Sequence, residues 1–298
     1  MQIPILLCLF GWIQVVTPAV IPGNDTEPEK APLVATVDWL AQHINDPKLV
    51  LLHTGAREEY DAEHIPGALF LPVSDIATPL TADPMFELLP PDRLQEVFEK
   101  LGISDDSRIV VYFGKDLIQA AARIMLTLDY LGLGSQSSML DGGMPAWRAA
   151  NKPLTAAVRT VGRGKLIPKV RDDVVVNLTA VRSMLNQPGI ALVDARLPNY
   201  YKAESAGRAS RAGRIPGAVN IPYNSLFDES LKIKNKSALE ALFRAAGVKS
   251  GQKVVTYCHI GQTASLVYLV AHYLGYDARL YDGSYTEWSS QPDLPVEK

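Results

Sequence analysis

The sequence predicts two α/β domains in tandem, each a parallel sheet with helices on both faces. Short β-branched runs alternate with stretches of helical length, the order of those stretches is the same in both halves, and two motifs recur at matching places. Alternation of this kind signals βα units and a parallel sheet. At 298 residues, 47% of them hydrophobic, the chain is long enough for a core in each half.

Each half opens on an apolar run, Leu49 to Leu52 and Ile190 to Val193. A proline-glycine turn follows: His64-Ile-Pro-Gly-Ala68 recurs as Arg214-Ile-Pro-Gly-Ala218, 150 positions later. The copies lead to Leu71-Pro72 and Ile221-Pro222. Helical stretches come next, Leu94 to Gly102 and Leu239 to Gly247, closing on glycine as helix C-termini often do. Second apolar runs, Ile109 to Phe113 and Val254 to Tyr257, lead to helices ending at Tyr130-Leu-Gly132 and Tyr273-Leu-Gly275. Each half ends on Asp-Gly with Trp at the same spacing, Asp141 to Trp147 and Asp282 to Trp288. The domains are expected at residues 30–151 and 174–298. Between them, residues 152–173 hold Lys152, Arg159, Arg163, Lys165, Lys169 and Arg171 with one acid pair near the end, and read as a solvated linker.

The N-terminus is different. Ile3 to Gly23 carries no charge, and Thr17-Pro-Ala19 has the small-x-small form of a signal-peptidase site. Residues 1–22 are expected to be a signal peptide, so the protein is expected to be exported, to a periplasm or outside the cell. The alternative is an uncleaved membrane anchor, which Pro4, Gln14 and Pro18 disfavour. Removal of the segment takes Cys8 with it and leaves one cysteine, which cannot form an internal disulfide.

That cysteine is Cys258, in the loop Tyr257-Cys-His-Ile-Gly-Gln-Thr-Ala264. In a parallel α/β sheet ligands bind beyond the carboxyl ends of the strands. A tight loop there aims backbone N–H groups inward, and the following helix N-terminus adds partial positive charge. Both favour an anion on sulfur. Gly261 allows the loop to curl, and Thr263 is placed to cap the helix. The site therefore suits a thiolate nucleophile that carries a transferred group. The alternative is an inert packed cysteine.

Other classes are excluded or weakened. A net charge of −3 and no nucleic-acid motif argue against a nucleic-acid partner. Five scattered histidines and two cysteines make no cysteine-rich zinc site, and no metal is expected. A cysteine phosphatase needs C-x5-R, but Ala264 stands where the arginine would be.

The I-P-G-A repeat, the D-G-x-x-x-x-W endings and a cysteine loop in the second copy only resemble tandem rhodanese-domain sulfurtransferases, from about Leu33 to Trp288. The resemblance implies two rhodanese-like domains. It implies a small anionic donor, thiosulfate or 3-mercaptopyruvate, that leaves a persulfide on Cys258. The amides of His259, Ile260, Gly261, Gln262, Thr263 and Ala264 would hold it. A thiol or cyanide then accepts the sulfur, and no cofactor is needed. The first domain would be a scaffold, with Gly114 or Lys115 opposite Cys258. The alternatives are a mercaptopyruvate enzyme and a persulfide carrier serving a protein acceptor.

The loop matches neither C-G-S-G-V-T, the mercaptopyruvate form, nor C-R-K-G-V-T, the vertebrate thiosulfate form. Glu87-Leu-Leu-Pro90 replaces the H-M-L-P run of mercaptopyruvate enzymes, and both differences lean away from mercaptopyruvate. The arginine usual in the thiosulfate enzymes falls at about Tyr200, and the lysine at Ile260. Arg208, Arg211 and Arg214 cluster before Ile215, and Arg214 is the first candidate to meet the donor. Ser284, the serine of the D-G-S ending, is expected to hydrogen-bond near the cleft. Asp194 and Arg196 read as a brace, and Trp39, Trp147 and Trp288 as core.

Overall fold

The computed structural model describes residues 32–298. The segment expected to direct export lies outside the described residues. Among those described, no helix is long and apolar enough to cross a membrane.

Each half forms a five-stranded, wholly parallel sheet. In the first, β1 (Val34–Ala35), β2 (Leu49–Thr54), β3 (Ala68–Phe70), β4 (Arg108–Phe113) and β5 (Ser137–Leu140) lie in the order β1-β5-β4-β2-β3. In the second, β6 (Val175–Val176), β7 (Ile190–Asp194), β8 (Val219–Asn220), β9 (Lys253–Tyr257) and β10 (Asp277–Tyr281) lie in the order β6-β10-β9-β7-β8. The orders match strand for strand. β2, β4, β7 and β9 coincide with the apolar runs because central parallel strands are covered on both sides.

The first half carries helices α1 (Val37–His43), α2 (Arg57–Ala62), α3 (Pro91–Lys100), α4 (Ile118–Tyr130) and α5 (Gly143–Ala149). The second carries α6 (Leu178–Met184), α7 (Pro198–Tyr201), α8 (Lys236–Ala245), α9 (Gln262–Tyr273) and α10 (Ser284–Ser290). Strand alternation sorts the packing. Val111 and Phe113 of β4 enter a core that also takes Val254 and Cys258 from the other half. Val110 and Tyr112 face an outer core of the first half, and Val255 and Tyr257 one of the second. Helices α4 and α9 are apolar on nearly all sides because each packs on its own sheet and on the other helix. Trp147 and Trp288 are core, each donating its indole N–H to a proline carbonyl, Pro153 and Pro295. Trp39 is only half-buried, stacked on His43.

Two aspartates tie the halves together reciprocally. Asp282 Oδ2 accepts from the Leu88 amide at 2.8 Å, and Asp141 Oδ1 accepts from the Ile233 amide at 2.8 Å. Both belong to the Asp-Gly motifs. The connecting segment is not simply solvated. The amides of Lys169 and Arg171 donate to Leu131 and Tyr130. Arg163 pairs with Glu99 at 2.6 Å and Arg171 with Asp129 at 2.6 Å, and Leu166 is buried. Arg163, Arg171 and Leu166 make it a strap on the first half, while Arg159, Lys165 and Lys169 stay exposed.

Candidate active site

Cys258 follows the last residue of β9, faces the shared core and is 2% exposed. Its loop is held by its carbonyls. The Tyr285 amide donates to Cys258 O at 2.9 Å, the Thr286 amide to His259 O at 3.1 Å, and Ser265 Oγ to Gly261 O at 2.8 Å. In a trans peptide the N–H points opposite to the C=O, so the amides of His259, Ile260 and Gln262 face away from those anchors. Helix α9 begins at Gln262, and no side chain caps it. Its first amides have no intrahelical acceptor, and the helix dipole favours negative charge at that end. Negative charge in front of this loop is favoured by those amides and that dipole.

Gly261 makes the turn, at φ +80°, where a Cβ would lie 2.7 Å from Asp282 Oδ1 and 3.0 Å from Arg123 Nη1. Those two atoms belong to a buried ion pair, Arg123 Nη1 to Asp282 Oδ1 at 2.6 Å, that joins the halves directly beneath the loop. Arg123 also donates to the Phe86 carbonyl at 3.0 Å. The floor of the site is thus an inter-domain contact.

Over the sulfur lies a cavity of about 320 Å³, lined by Cys258, His259, Tyr200 and Arg208 of the second half and by Leu80 and Phe86 of the first. Arg208 is the one cation in that lining, and it is exposed. His259 packs edge-on against Tyr200, ring centres 4.7 Å apart. Burial, helped by the nearby positive charge of Arg196, lowers its pKa to about 4, so its ring is neutral at pH 7. Among the described residues, no group of three or more His, Cys, Asp or Glu is arranged to hold a metal.

The rhodanese-like domain pattern matches residues 36–150 and again residues 177–291. The chain belongs to the rhodanese family. It is 31% identical over 268 residues to a thiosulfate sulfurtransferase of Azotobacter vinelandii, covering 89% of this chain and 97% of that one. It is 29% identical over 274 residues to a 3-mercaptopyruvate sulfurtransferase of Escherichia coli, covering 87% and 96%. It is also 31% identical over 287 residues to the sulfur carrier protein TtuD of Thermus thermophilus, covering 89% and 96%. In three dimensions it is similar to SseA from Escherichia coli, with a TM-score of 0.77, 27% identity and coverage of 86% and 99%. The expectation of a two-domain rhodanese sulfurtransferase agrees with these relatives. Their names divide over the donor.

Within this rhodanese, the residues expected from sequence take three kinds of place. Ile260, Gln262 and Thr263 line the cavity with Cys258 and His259. Ala264 is buried in α9 and Gly261 in the loop floor, so each can offer the site only its amide. Ser284 lies under the cysteine: its hydroxyl accepts from the Cys258 amide at 3.2 Å and donates to Tyr281 O at 2.8 Å. It positions the loop from beneath.

Two expectations are corrected. Thr263 does not cap α9; Gly261 occupies the N-cap and makes no side-chain bond. Arg214 is not in the cavity lining. Its guanidinium pairs with Glu297, donates to Tyr201 O at 3.2 Å and lies 4.4 Å from the centre of the Tyr201 ring. His64, its counterpart in the first repeat, hydrogen-bonds Tyr60 O in the same way at 2.7 Å. The position serves the turn in both copies. Arg208 is the arginine that reaches the site, and the sequence cluster contained it without ranking it first. Leu80, Phe86 and Arg123 were missed; they lie in the other half of the chain, and no local pattern connects them to Cys258.

The counterpart of Cys258 also changes. Tyr112 pairs with His53 as Tyr257 pairs with Asp194, and each tyrosine hydroxyl accepts from the isoleucine amide of its I-P-G turn. Phe113 therefore stands opposite Cys258, one residue earlier than Gly114. The Asp-Gly motifs likewise place Gly143 opposite Ser284, at φ +52° and +54°. A Cβ on Gly143 would lie 2.7 Å from the Phe113 ring. A bulky ring and a missing side chain have replaced a thiol and its hydroxyl brace together.

Proposed function

We propose that this protein is a thiosulfate sulfurtransferase that carries the sulfur as a persulfide on Cys258. The observation that supports this most is the buried Cys258 at an uncapped helix N-terminus, with its loop carbonyls tied back and Arg208 at the rim. The Cys258 thiolate attacks the outer sulfur of thiosulfate. The new S–S bond forms as the old one breaks, and sulfite leaves with the bonding pair. The charge stays on sulfur and moves by one atom, so fixed amide dipoles serve both states without reorganising. Cyanide, or a thiolate, then takes the terminal sulfur, and the Cys258 thiolate returns.

Thiosulfate is favoured over 3-mercaptopyruvate for two reasons. Its charge is compact and suits one arginine plus amides, whereas 3-mercaptopyruvate presents a carboxylate and a carbonyl at separate places. In addition, burial and the neighbouring carboxylates of Asp282 and Glu287 raise the Glu87 carboxyl to about 7, and this acid replaces the histidine of the H-M-L-P run.

Intact mass after thiosulfate, followed by cyanide and a thiocyanate assay, tests the proposal. The mass of the protein should rise by one sulfur, about 32 Da, and cyanide should remove it. Arg208→Ala should raise KM for thiosulfate about tenfold, or ~1.4 kcal/mol, while Arg214→Ala leaves KM unchanged. Loading by 3-mercaptopyruvate but not by thiosulfate would give the donor to the other relatives. A persulfide that cyanide cannot discharge but a protein acceptor can would make it a carrier.

A further inference from the structure

One stretch of the second half is much longer than its counterpart in the first. Tyr60 and Tyr201 hold the same place, each hydroxyl donating to the alanine carbonyl of its own I-P-G-A turn, Ala68 at 2.9 Å and Ala218 at 2.8 Å. From Tyr60 to Ile65 is 5 positions, and from Tyr201 to Ile215 is 14. The longer connection carries Arg208, the cation in the lining of the Cys258 cavity, and Arg211. It belongs to the half that has the thiol.

The two arginines are held differently. Arg208 is exposed and makes no hydrogen bond or ion pair among the described residues, so its guanidinium stands only where its backbone puts it. Arg211 is bound to backbone carbonyls: Nε donates to Ser289 O at 2.9 Å, Nη1 to Leu294 O at 3.0 Å and Nη2 to Gln291 O at 2.7 Å. Ser289 lies in the last turn of α10, whose final carbonyls have no intrahelical donor. A cation there also meets the negative end of the helix dipole. The Ser210 amide donates to Ser289 Oγ at 3.1 Å, and Ala209 enters the same outer core as Trp288. On the other side of Arg208, Gly207 at φ +58° lies so close to His259 that a Cβ would be 2.7 Å from Nε2.

Helix α10 therefore serves both walls of the cavity. The amides of Tyr285 and Thr286 at its start hold the carbonyls of Cys258 and His259, and its far end holds Arg211. With 7 residues it is a strut about 10 Å long. We propose that Arg211 is a positioning residue for the sulfur donor: by tying the long connection to the end of α10, it sets Arg208 at a fixed place relative to Cys258. It acts on donor affinity through Arg208 and not on the sulfur itself. This rests on thiosulfate as the donor and on Arg208 as the group that meets it.

Thiosulfate–cyanide kinetics on the full-length protein test this. Arg211→Met should raise KM for thiosulfate about tenfold and change kcat by less than about twofold. The double variant Arg208→Ala, Arg211→Met should have a KM within about twofold of Arg208→Ala alone, because the second change acts through a group already removed. A role apart from Arg208 would multiply the two effects instead, to about a hundredfold. Arg211→Lys, which keeps the charge but not the fork, should fall between the parent and Arg211→Met. It carries the test where Arg211→Met shows no cooperative thermal transition. The inference is overturned by an unchanged KM in a folded Arg211 variant, by a loss that falls on kcat, or by a double variant about tenfold worse than Arg208→Ala. A parent chain that thiosulfate neither loads nor turns over removes the donor reading first, and this inference with it; an active parent with any of the overturning results removes the inference alone.

Discussion

Tyr112 and Tyr257 hold matching places near the ends of their strands, each hydroxyl accepting from the isoleucine amide of the I-P-G turn in its own half, yet the residues after them have diverged in a concerted way. In the second half come a thiol, a hydroxyl beneath it and a short loop into α9. In the first come Phe113, Gly143 and a loop and helix each one residue longer, 18 positions from Tyr112 to Tyr130 against 16 from Tyr257 to Tyr273. The change is coupled: Gly143 has room for the Phe113 ring only because it has no side chain. The first-half strand end is a packing element of the shared core. The first half still reaches the Cys258 cavity, through Phe86 and Leu80 in its lining and Arg123 beneath the loop.

The largest expected effect tests the asymmetry directly. Cys258→Ser should abolish both the mass gain from thiosulfate and turnover. Phe113→Cys in that background should restore neither, since the longer loop carries Asp116 where the second half has a helix N-terminus. Sulfur on the first half of that double variant would show that the cup is not needed. Next comes the contact that joins the halves. Arg123→Met leaves Asp282 buried without its cation and should cost about 3–5 kcal/mol in urea unfolding, with loss of sulfur loading because Gly261 rests on that pair. A change under 1 kcal/mol would reduce it to a surface-like ion pair.

The two halves also share a pH response. His53 and His259 are each lowered to about 4, chiefly by burial. Unfolding lets them take up protons near their ordinary value of about 6.5, so the unfolded state binds more protons between the two values. Stability should therefore be intact above about pH 6.5 and fall as pH drops toward 4, by about 1–3 kcal/mol per histidine. Glu87, raised to about 7, acts oppositely and loses stability as pH rises from its ordinary value toward 7. Urea midpoints of His53→Phe, His259→Phe and Glu87→Gln across that range separate the three; a His53→Phe profile as steep as the parent would remove His53 from the account. The smallest effect is Ser284→Ala, which removes the hydroxyl under the Cys258 amide and should cost about 1 kcal/mol, read by thermal denaturation.

Much of this was legible in sequence because it is periodic or repeated. The four central strands and the four long helices follow from apolar runs and closing glycines. The edge strands β1, β6 and β8 have two residues each and no pattern to find. Cys258 was legible because a lone thiol at a strand-helix turn has little else to do. Its counterpart was not, since the two extra residues between strand and helix end allow several gaps and only the strand register decides. Arg214 misled because nearness in sequence to the I-P-G turn says nothing about direction, and that side chain is turned to Glu297. Arg208, a few residues earlier, lies on the stretch that comes back over His259.

The reciprocal aspartates have a consequence for how such a chain could be cut down. A fragment holding only the second half would keep its thiol, its loop and Arg208, yet it would lose the Phe86 and Leu80 wall, the amide of Leu88 and the guanidinium of Arg123 in one stroke. Asp282 would then face water with nothing to answer its charge, at the very turn that shapes the nucleophile's seat. On the proposed function, the copy without a cysteine is in this sense a prosthesis for the other, and a lone second half is expected to lose sulfur loading.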